Sequence, residues 1–190
     1  MTENRRENLL NAATDVFSQY GFHGAKMEDI AKKAEIGKGT IYGYFDSKRS
    51  LFYEMIKYRI EEYRKGLDSA LNIDGSLEEK LYAQYVFHEA YLNKYIDITQ
   101  IIMREKEVLP KELIMELAAE MDKLFSRMKR AVEEAIHRKE LRKDLDPKLA
   151  AIIIIGSIGQ FYGQKIYCQK KGHDNIDLMD LIDTVLKGLR

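Results

Sequence analysis

Between Lys38 and Phe45 the chain reads Lys-Gly-Thr-Ile-Tyr-Gly-Tyr-Phe, placing one ammonium (Lys38) and three hydroxyls (Thr40, Tyr42, Tyr44) in one short stretch. Ammonium groups neutralise phosphate, and hydroxyls donate to phosphate oxygens whatever base lies beside them. The chemistry on offer is therefore contact with a nucleic-acid backbone. Gly39 and Gly43 present no side chain, so a helix built from this stretch can bring its backbone close to a groove. Ile41 and Phe45, four residues apart, define the face that turns inward. From residue 32 to 49, Lys32, Lys33, Lys38, Lys48 and Arg49 oppose only Glu35 and Asp46. This local positive excess sits in a chain whose 31 basic residues equal its 31 acidic ones, so bulk charge nominates no partner. Arg5 and Arg6 would extend it as an N-terminal basic arm.

Other chemistries find less support. Gly37-Lys-Gly-Thr40 resembles a phosphate loop, but Lys32 stands where that loop needs glycine and Gly39 where it needs Ser or Thr. The histidines His23, His88, His137 and His173 share no metal-ligand spacing, and no metal or cofactor is expected. Cys168 is the single cysteine, which excludes an intramolecular disulfide; it reads as a spectator thiol, with a redox switch as the alternative. Carboxylates are scattered over solvated helix faces, so no catalytic residue is nominated and an enzyme is not expected. The N-terminus is polar, and the longest apolar run, Leu149 to Ile155, is far short of the roughly 20 residues a membrane span needs. A cytoplasmic protein without membrane contact is the expectation.

These residues must be positioned by helices. The 190 residues contain two prolines, Pro110 and Pro147, and 45% are hydrophobic, which favours an all-α fold with a real core. Apolar spacing predicts helices over 5–20, 27–34, 38–44 and 48 to about 66, with Gly21 stopping the first and Gly37 relaxing the tight turn before the third. Asp46-Ser47 reads as a cap, and Ser76 with Glu79 as a capping box. Beyond it come a helix through Tyr95, a shorter one over 98–104, and a long one from Pro110 to about Arg138. Asp146-Pro147 starts a helix reaching about Lys170; after a turn at 172–175 the last helix covers 176–189. Two short helices joined by a tight turn and supported by a preceding helix form a helix-turn-helix arrangement.

Residues 9–52 resemble the N-terminal DNA-binding domain of the tetracycline-repressor (TetR) family of bacterial transcription regulators. The matching elements, in order and spacing, are Ala12-Ala13, Gly21-Phe22, Met27 to Ala31, Lys38 to Phe45 and Ser47-Lys48. The resemblance implies a helix-turn-helix DNA-binding domain over 1–47 and a helical-bundle effector-binding and dimerisation domain over 48–190. It also implies that the third helix enters the major groove, with Lys38, Gly39, Thr40, Tyr42, Tyr44 and Lys48 at the DNA. Three positions depart from the family pattern: Lys26 and Gly37 each stand where a capping hydroxyl is common, and Gly43 where a larger side chain often reaches DNA.

Aromatic and methionine residues fill the middle helices. Taken singly they fit a core; taken together, Tyr63, Tyr85, His88, Tyr91, Met103, Met121, Phe125 and Phe161 suit the lining of a site for a hydrophobic small molecule. His88 also fits a simply packed histidine. Gly156, Gly159 and Gly163 share one helix face with Ile152 nearby, and glycine inside a helix wants a compensating reason. A dimer interface completed by Leu178, Ile182 and Val185 supplies one; close packing within the subunit, or room for a ligand, would supply another. The expectation is a homodimeric, ligand-responsive repressor of a near-palindromic operator. The alternative is an architectural or nucleoid-associated DNA-binding factor without an effector.

Overall fold

A computed structural model describes residues 2–104, 106–168 and 177–189. The described residues form α1 (Thr2–Gly24), α2 (Met27–Lys33), α3 (Lys38–Tyr44), α4 (Lys48–Leu71), α5 (Leu77–Arg104), a single 3-10 turn (Lys106–Val108), α6 (Lys111–His137), α7 (Pro147–Cys168) and α8 (Leu178–Lys187). Among them no helix is long and apolar enough to cross a membrane. The turn expected at 172–175 and the final residues expected of α7, Gln169 and Lys170, lie outside the described residues.

The helix starts follow their caps. Ser47 accepts from the Ser50 amide at 3.1 Å, and Asp146 from the Lys148 amide at 2.8 Å. At α5 the capping box closes both ways: the Ser76 amide donates to Glu79 Oε2 at 2.7 Å and the Glu79 amide to Ser76 Oγ at 3.2 Å. The Ser76 amide, together with the Ser76 hydroxyl, holds the Glu79 carboxyl below its ordinary pKa. Lys26 and Gly37 make no side-chain cap, as their residue types imply.

The ends are less predictable. Gly21 breaks α1 with φ 68 and ψ 175, a backbone that glycine reaches without penalty. The turn between α2 and α3 relies on Glu35, not Gly37: Glu35 takes φ 56, whereas Gly37 has an ordinary φ of −69. The Glu35 amide donates to the Lys32 carbonyl and the Ile36 amide to the Ala31 carbonyl, at 3.1 and 3.0 Å. That pair of bonds is a Schellman ending, and it forces the left-handed residue. Replacing Glu35 with glycine is therefore expected to stabilise the protein by about 1 kcal/mol, measured by urea unfolding; a loss of stability would contradict this account of the turn. Lys139, at φ 63, ends α6 in the same way.

The chain divides into two compact units, one of residues 1–62 with 95–115, the other of 63–94 with 116–190. In the first, Leu10, Phe17, Ile30, Ile41, Phe52 and Met55 form the centre of the core, and Leu113 of α6 is buried among them. Phe52 meets Phe17 edge-on at 4.9 Å and Phe22 at 5.0 Å. The Tyr53 hydroxyl donates to the Val108 carbonyl at 2.5 Å, tying the 3-10 turn to α4. The unit bearing the helix-turn-helix thus includes chain well beyond residue 47. The second unit packs Leu81, Tyr85, Val132, Ile154, Ile182 and Leu186 around its own core.

α4 runs past Gly66 to Leu71, further than its glycine suggests. A Cβ on Gly66 would lie 1.9 Å from Phe87 Cζ. The glycine is there to admit an aromatic ring against the helix, so it does not end it. α5 is one element instead of two, but its backbone leaves helical geometry at Tyr95 (φ −125, ψ 22), close to where the two helices were expected to part.

Candidate functional site

α3 divides into two faces as its pattern requires. Ile41 and Phe45 are buried in the first unit's core, while Lys38, Gly39, Thr40, Tyr42 and Gly43 are exposed, Tyr42 at 45%. A Cβ on Gly39 or Gly43 would meet nothing within 4 Å. Tyr44 is half-buried, its ring 6.5 Å from that of Phe45. The Lys38 ammonium lies 2.5 Å from Glu28; the hydrogen bond between them raises the Lys38 pKa and lowers that of Glu28. Both groups are well exposed, so water screens the pair and a phosphate can compete for the lysine.

Lys48 is engaged elsewhere. Its ammonium donates to the His23 and Ala25 carbonyls at 3.1 and 2.9 Å and stands 4.9 Å from the centre of the Phe22 ring. It fastens the start of α4 to the turn between α1 and α2, with two of its three protons committed. Arg6, one of the two expected arm residues, pairs with Glu54 and lies over the Phe45 ring at 5.8 Å; Arg5 is exposed.

The second unit gathers part of the aromatic set. Tyr63 stands 5.1 Å from Tyr91, 5.9 Å from Phe87 and 5.4 Å from His88, ring to ring. His88 meets Tyr162 at 4.4 Å, and Tyr162 meets Phe161 at 4.8 Å and Tyr85 at 6.1 Å. The polar tips are satisfied within the cluster. Tyr63 Oη shares a hydrogen bond with His88 Nδ1, Tyr85 Oη with Ser157 Oγ at 3.0 Å, and Tyr162 Oη donates to the Tyr85 carbonyl at 3.0 Å. Burial raises the pKa of all three tyrosines and lowers that of His88 to about 4. Met121, by contrast, is 57% exposed, and Phe125 is half-buried against the second core. The Met103 side chain lies outside the described residues. Sequence reading passed over Phe87 and Tyr162 as site residues, although both fall in the aromatic spacing it used.

The lowered His88 pKa fixes a pH dependence. Neutral in the folded state down to about pH 4, His88 takes up a proton on unfolding at any pH below its ordinary 6.5. Its contribution to stability is therefore complete above pH 6.5 and is lost as pH falls towards 4. The melting temperature should drop across that interval, and less so in His88→Gln; equal slopes in the two proteins would refute the assignment.

On α7, Leu149, Ile152 and Ile153 are exposed, Ile152 at 51%. Gly156 and Gly159 lie on the same exposed face, half-buried Gly163 follows, and a Cβ at any of the three would meet open space. Among the described residues, none packs closely on these glycines. Ile182 is 1% exposed and belongs to the subunit's own core, whereas Leu178 and Val185 are half-buried. Ala150 and Ala151 of the same helix are buried. The second unit also holds a polar cleft of about 470 Å³. In it Arg127 pairs with Asp68 at 2.8 Å and Lys80 with Glu134 at 3.7 Å. Among the described residues no group of three or more His, Cys, Asp or Glu could hold a metal ion.

An exposed hydroxyl- and lysine-bearing helix following a Schellman turn, on a unit joined to a separate helical bundle, defines a helix-turn-helix transcription regulator. Residues 9–55 match the family model for bacterial regulatory proteins of the tetR family, and residues 74–163 that for the tetracyclin repressor-like C-terminal domain. The chain is 28% identical to the uncharacterized HTH-type transcriptional regulator YhgD of Bacillus subtilis (strain 168), over 100% of this chain and 98% of that protein. It shares the fold of the transcriptional regulator FadR from Bacillus subtilis, solved in complex with stearoyl-CoA (TM-score 0.67, 22% identity, 95% of each chain). It also shares it with AibR, solved with isovaleryl coenzyme A and operator DNA (TM-score 0.64, 19% identity, 97% of each chain). The chain belongs to the TetR family and is a DNA-binding transcription regulator.

Proposed function

We propose that this protein is a repressor that acts as a homodimer on a near-palindromic operator and is released by a hydrophobic small molecule, with an acyl-CoA as the first class to test. The observation that carries the reading is the outward face of α3: Lys38, Thr40 and Tyr42 exposed around two glycines with open space above them. Lys38, Thr40, Tyr42 and Tyr44 supply the phosphate contacts, and the Gly39 backbone approaches the groove. Lys48 contributes its remaining proton and holds the turn in place. Residues 1–47, with Lys48, make the DNA contacts; the rest of 48–190 takes the effector and dimerises. Operator DNA as the partner makes the cytoplasm the site of action.

The effector site is the cluster of Tyr63, Tyr85, His88, Tyr91 and Phe161, extended by Phe87 and Tyr162, with Phe125 packed on the same core. Its buried and half-buried rings, with their hydroxyl and imidazole tips turned on one another, favour an apolar chain. FadR and AibR, which share the fold, were solved with acyl-CoA molecules, and this directs the choice of probe. Two subunits pair through the exposed face of α7 around Ile152, Gly156, Gly159 and Gly163, with Leu178 and Val185 of α8 at its edge. Pairing presents two α3 helices roughly 34–36 Å apart, one turn of DNA. An effector preferring a different separation of the heads lowers DNA affinity, and DNA lowers effector affinity by the same factor.

The test joins three measurements. A duplex selected in vitro by the protein should bind with an affinity that falls steeply with salt, and Lys38→Ala or Thr40→Ala should weaken it, the former flattening the slope. Palmitoyl-CoA should raise the melting temperature and release the duplex. Wild-type affinity in both variants would overturn the α3 assignment, and no response to any acyl-CoA would overturn the effector class. Sedimentation equilibrium showing only monomer at micromolar concentration would overturn the dimer.

A further inference from the structure

α5 enters the DNA-binding unit at Tyr95, the residue at which its backbone departs from helical geometry. There it meets Arg59 of α4, an arginine only 4% exposed. The guanidinium donates to four side chains: Nε to Thr14 Oγ1 at 3.0 Å, Nη1 to Tyr95 Oη at 2.7 Å and to Glu62 Oε2 at 2.6 Å, and Nη2 to Asn11 Oδ1. The rings of Tyr58 and Tyr95 have their centres 4.8 and 4.6 Å from its central carbon. The Thr14 hydroxyl in turn donates to the Leu10 carbonyl at 2.8 Å, so its lone pair is aimed at the arginine.

A buried guanidinium is tolerated only while its donors are met. Arg59 meets them with groups from three helices: Asn11 and Thr14 on α1, Glu62 on α4 and Tyr95 on α5. We propose that Arg59 is a positioning residue, a clasp through which the α5 kink sets the seating of α1 and hence of the helix-turn-helix packed on it. Withdrawal of Tyr95 leaves Nη1 on Glu62, so the guanidinium is held by α1 and α4 without α5 and its seat on α1 shifts. Tyr63 and Tyr91, which touch in the aromatic cluster, lie one turn from Arg59 and Tyr95 along the same two helices. Whatever parts those rings acts one turn from the clasp. The clasp itself does not depend on which molecule does so.

Its test uses the full-length protein and the in vitro selected duplex, well below the melting temperature. Tyr95→Phe keeps the ring and removes only the hydroxyl; Thr14→Val removes one of the two acceptors on α1. Each should change DNA affinity by about threefold or more, with the slope of affinity against salt unchanged, because no phosphate contact is lost. Together they should have little more effect than either alone, since both break one clasp, and in an Arg59→Met background both should be silent. A purely structural network would lower the melting temperature and leave the affinity of the folded protein intact. Wild-type affinity in both single variants, or strictly additive effects in the double variant, would overturn the proposal. The double variant decides the matter even if Arg59→Met fails to fold.

Discussion

Gly43→Glu, and equally Gly39→Glu, should reduce affinity for the selected duplex by about 100-fold or more while leaving the protein folded, since like charges brought together at an interface cost several kcal/mol. Both glycines lie on the outward face of α3, and a Cβ on either meets nothing within 4 Å. The carboxylate is therefore admitted without steric cost and stands where phosphates must come. The control adds a side chain without the charge. Gly43→Ala relieves a glycine inside a helix and should stabilise the protein by about 1 kcal/mol. Anisotropy titrations alongside thermal melts separate the two effects. Undiminished DNA binding by Gly43→Glu would mean that α3 does not face the duplex.

Gly66→Ala should destabilise the second unit by about 1–3 kcal/mol, the usual cost of forcing bulk into a packed site. The added methyl would stand 1.9 Å from Phe87 Cζ and 2.1 Å from Cε2, well inside contact distance. The Phe87 ring cannot swing freely, because Tyr63 and Tyr91 flank it at 5.9 and 5.7 Å. Displacing it disturbs the whole aromatic cluster, so effector binding should weaken together with stability. Adding Phe87→Ala should recover much of the steric loss, whereas Phe87→Ala alone destabilises. A double variant no more stable than Gly66→Ala would show that the contact is not the cause. Calorimetry and urea titration measure both terms.

Much of the architecture was legible in the chain because its signals are local. Caps lie within one turn of the amides they satisfy, so Ser47, the Ser76–Glu79 box and Asp146 marked their helix starts. The division of α3 between Ile41 and Phe45 inside and Lys38, Thr40 and Tyr42 outside follows from helical periodicity alone. The family was readable for the same reason: its fingerprint is a run of residues at fixed spacing, matched over 9–55.

What the sequence by itself determined, then, was the helices, their faces and the class of regulator. The tertiary structure decided which polar groups are spent inside the protein. Lys48 reads as a wholly free cation until two of its three protons are found on the carbonyls of His23 and Ala25. Ile182 reads as an interface residue until it is found in its own subunit's core. Gly66 reads as a helix end until Phe87 arrives from α5, and no local spacing marks Arg59 as the residue around which Asn11, Thr14 and Tyr95 close. In each case the partner lies some 20 to 50 residues away along the chain or further. The choice is made by packing and by the need to satisfy buried donors, and spacing along one helix carries no record of either.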